Sequence, residues 1–218
     1  MKHGDRWCPE PPAAAAEVFG EALGQAVQYA ALLADVGVQR GLIGPREVDR
    51  LWERHLLNSA AVSQVVPDSV CVLDVGSGAG LPGIPLALVR PDLKVRLVEP
   101  LLRRFTFLAE ATDLLGLVDV DVVRSRAEDL PRAAADVVVA RAVAPLDRLV
   151  RWTVPLLRPG GRLVAMKGRS AEDELAAAGR TLARLGARSS EVCDLTLPGG
   201  LATTRAVVVV AGESLRLR

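Results

Sequence analysis

The chain has 218 residues, 50% hydrophobic and 24% charged, which fits one soluble domain whose core needs neither disulfides nor metal. Three cysteines and two histidines, without a CxxC pair, exclude zinc ribbons, disulfide scaffolds and multi-histidine centres. Its 27 basic and 26 acidic residues nearly cancel, but residues 1–140 carry 14 against 19 and residues 141–218 carry 13 against 7, an asymmetry that suits an anionic partner.

Residues 1–12 are expected as a disordered tail, and 13–218 as a single domain with a helical preface over 13–66 and an α/β core over 67–218. The opening MKHGDRWCPEPP lacks an apolar signal segment, and no apolar run approaches the ~18 residues of a membrane span. The cytoplasm is therefore the expected compartment. Phe19, Ala22, Leu23, Ala26, Ala30 and Leu33 recur at helical spacing, predicting a helix over 13–34. A second helix is expected from Gly44-Pro45, its apolar stripe formed by Val48, Leu51, Trp52 and Leu56 with His55 at its border. His55 reads better as a hydrogen-bonded helix residue than as a base.

Beyond Pro67 the period changes. Strands are expected at 70–75, 95–98, 118–123, 136–140 and 162–166, with helices at 83–89, 101–115, 146–157 and 171–185 between them. Strands separated by helix-length segments imply a parallel sheet covered on both faces. Residues 192–197 and 205–211, around Pro198-Gly199-Gly200, read as an antiparallel hairpin. The fold class is thus Rossmann-like α/β, a seven-stranded mostly parallel sheet ending in that hairpin.

The strongest local signal is Asp74-Val75-Gly76-Ser77-Gly78-Ala79-Gly80-Leu81-Pro82-Gly83, a strand running through a glycine turn into a helix. Two ligands compete for it. Gly78 to Gly83 satisfies the dinucleotide fingerprint, and Glu99 stands where a ribose-binding acid belongs. Asp74 through Gly80 fits the S-adenosylmethionine loop, an acid, any residue, then Gly-x-Gly-x-Gly. Context favours the methyl donor. The dinucleotide window starts after the tight turn has begun, Pro82 and Pro85 remove amides that a pyrophosphate needs, and the Asp74 carboxylate suits a cationic sulfonium. Glu99, ending the second strand, would accept from the ribose hydroxyls. Ala127-Glu128 after the third strand would cover the adenine.

The segment after strand four narrows the acceptor. It reads Val139-Ala140-Arg141-Ala142-Val143-Ala144 and holds no cysteine nucleophile and no Pro-Pro-aromatic. A ribose 2′-O enzyme wants lysines and acids, and Lys167 is the sole lysine in reach. An acceptor with a free lone pair remains, guanine N7 among them, which needs placement and no base. Aromatic residues are 3% of the chain, so recognition should rest on arginine and shape more than on stacking. Arg141 could pair with the methionine carboxylate or hold the guanine at O6. Lys167 and Arg169 end strand five as phosphate or guanine contacts, and Arg124 and Arg126 could add phosphate contacts.

The run Asp74 to Ala87 resembles that of the bacterial small-subunit ribosomal RNA guanine-N7 methyltransferases, the glucose-inhibited division protein B family. Arg54-His55-Leu56-Leu57-Asn58-Ser59, Ser125-Arg126-Ala127-Glu128, Ala140-Arg141-Ala142 and Lys167-Gly168 are similar to that family's other signatures, in order, over about residues 20–211. The resemblance implies a class I methyltransferase using S-adenosylmethionine and no metal. Its product would carry one methyl on N7 of a guanine in 16S ribosomal RNA near the decoding site. The partner would be that RNA or the small subunit, and the chain a monomer. Gly76, Leu81, Ala127-Glu128 and Arg141 would line the cofactor, together with Asp74, Gly78 and Glu99. Two positions depart from the family pattern: Gly41-Leu42-Ile43 replaces the usual Asn-Leu-Thr, and Asn58 the usual aspartate. An NAD(P)-dependent oxidoreductase, a non-catalytic ribosome-binding module and a small-molecule methyltransferase are the alternative readings.

Overall fold

The structure, a computed structural model, describes residues 8–197 and 203–213. Among these, seven extended segments form one sheet: β1 (Cys71–Val75), β2 (Lys94–Val98), β3 (Val120–Val123), β4 (Ala135–Arg141), β5 (Leu157–Lys167), β6 (Ala187–Thr196) and β7 (Thr203–Ala211). Their order is β3-β2-β1-β4-β5-β7-β6. The first five run parallel, while β7 is antiparallel to both β5 and β6. Side chains alternate across the pleat. In β4, Val137 and Val139 join the core on one face, and Val138 and Ala140 join the core on the other. Both faces are covered, so the run Val137–Ala140 is apolar on both sides.

Helices α4 (Gly83–Val89) and α5 (Leu102–Leu115) cover the first face together with the preface, and α6 (Leu146–Thr153) and α7 (Ala171–Leu185) cover the second. In α5, Phe107, Leu108, Ala111 and Leu115 recur at three- and four-residue spacing and are buried, as an amphipathic helix on a sheet requires.

The preface is more broken than the sequence predicts. Helix α1 (Ala13–Phe19) stops at Gly20, whose φ of 51° leaves the helical region. The chain resumes in α2 (Leu23–Leu32) and continues in a wide π-type turn, Leu33–Gly37. The second expected helix is a 3₁₀ segment (Pro45–Arg50), another π-type stretch (Leu51–Leu57), the short α3 (Asn58–Ala60) and a last 3₁₀ segment (Ala61–Val65). Tyr29, Leu33, Leu51, Leu56 and Leu57 are fully buried, each worth about 1.5–3 kcal/mol, so the preface is bound firmly to the sheet.

Four expectations are corrected. Residues 8–12 are held rather than frayed: Trp52 Nε1 donates to Pro9 O at 2.8 Å, and Cys8 packs against the core. Residue Val118 precedes β3 and is 92% exposed, because the alternating valines begin before the pairing does. Strand β5 starts at Leu157, not Arg162, running through Pro159 and two glycines with a register shift against Ala135 and Val137. Strand β6 starts at Ala187, its polar residues facing solvent at the sheet edge. The turn expected at Pro198-Gly199-Gly200 lies outside the described residues.

Candidate active site

Strand β1 pairs with β2 on one side and β4 on the other, so chain direction across the sheet reverses there. Ligands of open α/β sheets bind outside the carboxyl ends of strands at such a point. Two segments leave that edge side by side, the glycine loop after β1 and residues Arg141 to Pro145 after β4. A Cβ on Gly76 would lie 2.9 Å from Val143 Cγ2, so the segments touch where only glycine fits. Gly78 differs. Its φ is 59°, and the nearest atom to an added Cβ is Gly76 O at 3.8 Å. The space in front of Gly78 is therefore open.

Beneath the loop lies Asp74, fully buried. Its Oδ2 accepts from Gly83 N at 2.9 Å, tying the end of β1 to the start of α4, while Oδ1 is buried without a partner. Asp74 thus supports the loop from below instead of facing a ligand. Burial, opposed chiefly by the Gly83 hydrogen bond, pushes its carboxyl up from 3.8 to about 7. The folded state keeps a proton that the unfolded chain loses near pH 4. This stability contribution is fully present below pH 4 and is lost as pH rises to about 7, up to about 4 kcal/mol in all. Asp74→Asn should remove that slope. Urea unfolding of parent and variant from about pH 4 to about 8 checks it, and parallel curves would refute it.

Glu99, next to the end of β2, is also buried. Its Oε2 accepts from Gly78 N at 3.1 Å and its Oε1 from Leu101 N at 3.0 Å. Arg104 Nη1 stands 3.6 Å from Oε2. The acid therefore clamps the glycine loop, and each carboxylate oxygen retains a lone pair for a hydroxyl donor.

Two pockets meet here. The smaller, about 240 Å³, is lined by Gly76 to Ala79, Leu81, Leu42, Ile43, His55 and Arg104. The larger, about 710 Å³, is lined by Arg54, Asn58, Val143, Lys167, Glu174 and Thr204 among others. Arg141 and Ala142 line both. Arg141 is no surface arginine. Its Nη1 donates to Ser59 Oγ at 3.1 Å, and its Nη2 to Arg54 O at 2.9 Å and to His55 Nδ1 at 3.0 Å. Three of its five N–H groups are so committed, leaving two for a ligand. Ala142 beside it has φ 53°, strained for a residue with a Cβ.

The other candidates are distributed unevenly. Lys167 reaches the larger pocket, but its side chain is 9% exposed and its Nζ donates to Glu174 Oε2 at 2.7 Å and Ala144 O at 2.8 Å. Its ammonium holds the segment after β4 instead of standing free for a phosphate. Arg169, Arg124 and Arg126 are exposed on loops at the same sheet edge, and Arg124 Nε contacts Pro100 O at 3.5 Å. Ala127 and Glu128 sit in a single 3₁₀ turn after β3, Ala127 buried and Glu128 exposed, outside both pockets. Sequence reasoning missed Tyr29, Glu47 and Ser59. Tyr29 lies three residues past Ala26, at helical spacing from the predicted apolar stripe but not among its residues, and its hydroxyl donates to Ala79 O at 2.6 Å, fastening the preface to the loop.

No cluster of three or more metal-ligating side chains occurs among the described residues. The loop does fit S-adenosylmethionine: open space at Gly78, a strand-end carboxylate with free lone pairs, and two unused guanidinium donors.

Fold and site together define a class I S-adenosylmethionine-dependent methyltransferase. The same fold recurs in TYW2 of M. jannaschii in complex with AdoMet, 18% identical over 72% of this chain and 74% of that one with a TM-score of 0.54. It recurs also in the predicted O-methyltransferase Atu636 of Agrobacterium tumefaciens, 19% identical over 74% and 83% with a TM-score of 0.59. The chain belongs to the GidB family, rRNA small subunit methyltransferase G, whose match runs over residues 22–198. Relatives described as ribosomal RNA small subunit methyltransferase G include a Streptomyces avermitilis protein, 61% identical over 186 residues (84% of this chain, 78% of that protein). Another, from Mycolicibacterium gilvum, is 56% identical over 196 residues (88% and 85%).

Proposed function

We propose that this protein transfers the methyl group of S-adenosylmethionine to N7 of one guanine in 16S ribosomal RNA near the decoding site. The observation that carries the acceptor is the lack of an uncommitted base around the larger pocket among the described residues. The one carboxylate lining it among the described residues, Glu174, accepts from Lys167 Nζ, Leu146 N and Ser170 Oγ. His55 has both ring nitrogens engaged. Guanine N7 carries a lone pair and loses no proton on attack, so such a site needs only to position it.

S-adenosylmethionine, when bound, supplies an electrophilic methyl on a cationic sulfur. The chain's own residues do the rest. The open face in front of Gly78 receives the methionine part, with Leu81 beside it. Glu99 accepts from the ribose hydroxyls, and the Ala127-Glu128 turn borders the adenine. Arg141, between the pockets, holds the methionine carboxylate or guanine O6, and Lys167 keeps the segment after β4 in place. The reading calls for no metal and no second protomer, and a ribosomal RNA substrate puts the activity in the cytoplasm. No helix among the described residues is long and apolar enough to cross a membrane.

The test is transfer of labelled methyl from S-adenosylmethionine to unmodified small subunits and to free 16S RNA, followed by borohydride and aniline cleavage. One strand break at a guanine is expected. Label without cleavage would overturn the N7 assignment, and binding of nicotinamide cofactor alone would favour the oxidoreductase reading.

The RNA face is read at Arg169, Arg124 and Arg126. Alanine at Arg169 or Arg126 should reduce the log–log salt slope of RNA binding by about 0.7–0.9 each while leaving cofactor affinity intact. Filter binding over a salt series measures this. Unchanged slopes in both variants would move the RNA face elsewhere.

A further inference from the structure

We propose that His55 is a positioning residue for methyl transfer: Glu47 holds it in the neutral tautomer protonated on Nε2, so that Nδ1 accepts from Arg141 and fixes the guanidinium between the two pockets. The kinetic part of this proposal rests on the methyltransferase reading above; the tautomer does not.

The chemistry of the partners sets the tautomer. Arginine donates and never accepts, so the 3.0 Å contact from Arg141 Nη2 requires a lone pair on His55 Nδ1. The Glu47 carboxylate accepts, so Nε2, 3.1 Å from Oε2, must carry the hydrogen. The ring cannot rearrange easily, because its side chain is 12% exposed. Charged groups face this contact from each packed element. Arg54 lies on the same segment, Glu47 on Pro45–Arg50 and Arg141 on β4; behind Arg141 stand Asp74 on β1 and Tyr29 on α2.

Protonation of His55 would turn the Nδ1 acceptor into a donor aimed at a guanidinium. One of Arg141's three anchors would become a contact between like charges. The consequence reaches the cofactor loop, because Arg141 is followed by the strained Ala142 and then by Val143, which packs on Gly76. A strained turn persists only while its surroundings over-determine it, and the three anchors of Arg141 supply that constraint. Burial and the neighbouring Arg141 push the imidazole below its ordinary value, against the opposing pull of Glu47. The neutral ring is therefore the resting state at neutral pH.

The experiment has two arms. The chain has two histidines, His3 and His55, so ¹⁵N-histidine labelling in a His3→Gln background gives one imidazole. Its ¹⁵N shifts should show the Nε2–H tautomer and a midpoint below 6.5. An Nδ1–H ring, or a midpoint at or above that value, overturns the proposal whatever the enzyme does. The second arm is single-turnover methylation of small subunits from about pH 5 to about 8.5. The parent should show an acid limb at the NMR midpoint. Glu47→Gln should move both to lower pH, since the carboxylate holds the midpoint up. His55→Leu should lose about 10²-fold in rate. His55→Gln, which offers one acceptor and one donor but does not titrate, should recover most of that loss and lack the limb. A limb that survives in His55→Gln, or that vanishes in Asp74→Asn instead, overturns the proposal. A parent with the expected NMR behaviour and no methyl transfer on any small-subunit substrate would overturn the methyltransferase reading and the kinetic role with it.

Discussion

Gly78→Val is expected to abolish S-adenosylmethionine binding, raising Kd about 100-fold or more, equivalent to about 2.7 kcal/mol, in a protein that still folds cooperatively. The two parts of that expectation come from different observations. Folding should survive because a Cβ at Gly78 meets no protein atom closer than 3.8 Å. The φ of 59° adds about 1–2 kcal/mol of strain for a residue with a Cβ, within the stability of an ordinary domain. Binding should fail because the valine methyls enter the space the ligand needs. The strain also pulls Gly78 N away from Glu99 Oε2, a 3.1 Å bond, so the ribose acid loses its orientation at the same time. Gly76→Val is a different case, because its side chain would meet Val143 at 2.9 Å and should lower thermal stability as well. Calorimetric titration with S-adenosylmethionine, paired with thermal melts of both variants, checks this. Parent-like affinity in Gly78→Val would sink the assignment of the loop to the cofactor.

Strand order aside, the core was legible because its signals are local. The valine runs, the glycine cluster and the helical stretches between them announce a parallel sheet without any knowledge of tertiary contacts. Helices α4 and α7 fall at the residues their apolar spacing gives. The loop was legible as a ligand site for the same reason. Hidden were the contacts made at long range. Glu99 looks like a free ribose acceptor in sequence, and the fold also makes it a clamp on Gly78. Lys167 looks like a free cation after a strand, yet Glu174, one turn into α7, reaches back to neutralise it. Arg141 reads as an exception in an apolar run, but its partners Arg54, His55 and Ser59 lie more than 80 residues earlier. No spacing rule joins such positions.

The departures at Gly41-Leu42-Ile43 and Asn58 acquire meaning from where they fall. Leu42 and Ile43 line the smaller pocket and Asn58 the larger. The smaller pocket's preface wall is therefore apolar except for His55. Asn58, a neutral amide whose Oδ1 is buried without a partner, adds no charge to a wall already holding Arg54, Arg141 and Lys167. Orientation at this boundary falls to Arg141, with Lys167 tied to Glu174.

Arg141→Lys should therefore be nearly as damaging as Arg141→Ala, each lowering single-turnover methyl transfer by about 10²–10³-fold. Charge alone would predict a mild effect, since lysine keeps the cation. Geometry predicts otherwise. The planar fork of arginine reaches Ser59 Oγ, Arg54 O and His55 Nδ1 at once, and an ammonium on a flexible stem cannot span the three. Each acceptor left unpaired in this half-buried site costs about 1–3 kcal/mol, and the segment through Ala142 loses what holds its strained backbone. Removing the guanidinium also takes away a cation that holds the Asp74 carboxyl down. Arg141→Ala should therefore extend the fall in stability to higher pH, an effect Arg141→Lys should largely spare. Rapid-quench methylation at saturating RNA and cofactor measures the first effect, and urea unfolding across pH the second. A lysine variant within about threefold of the parent rate would mean that Arg141 acts through its charge, and that its bonds to the preface do not position it for the reaction.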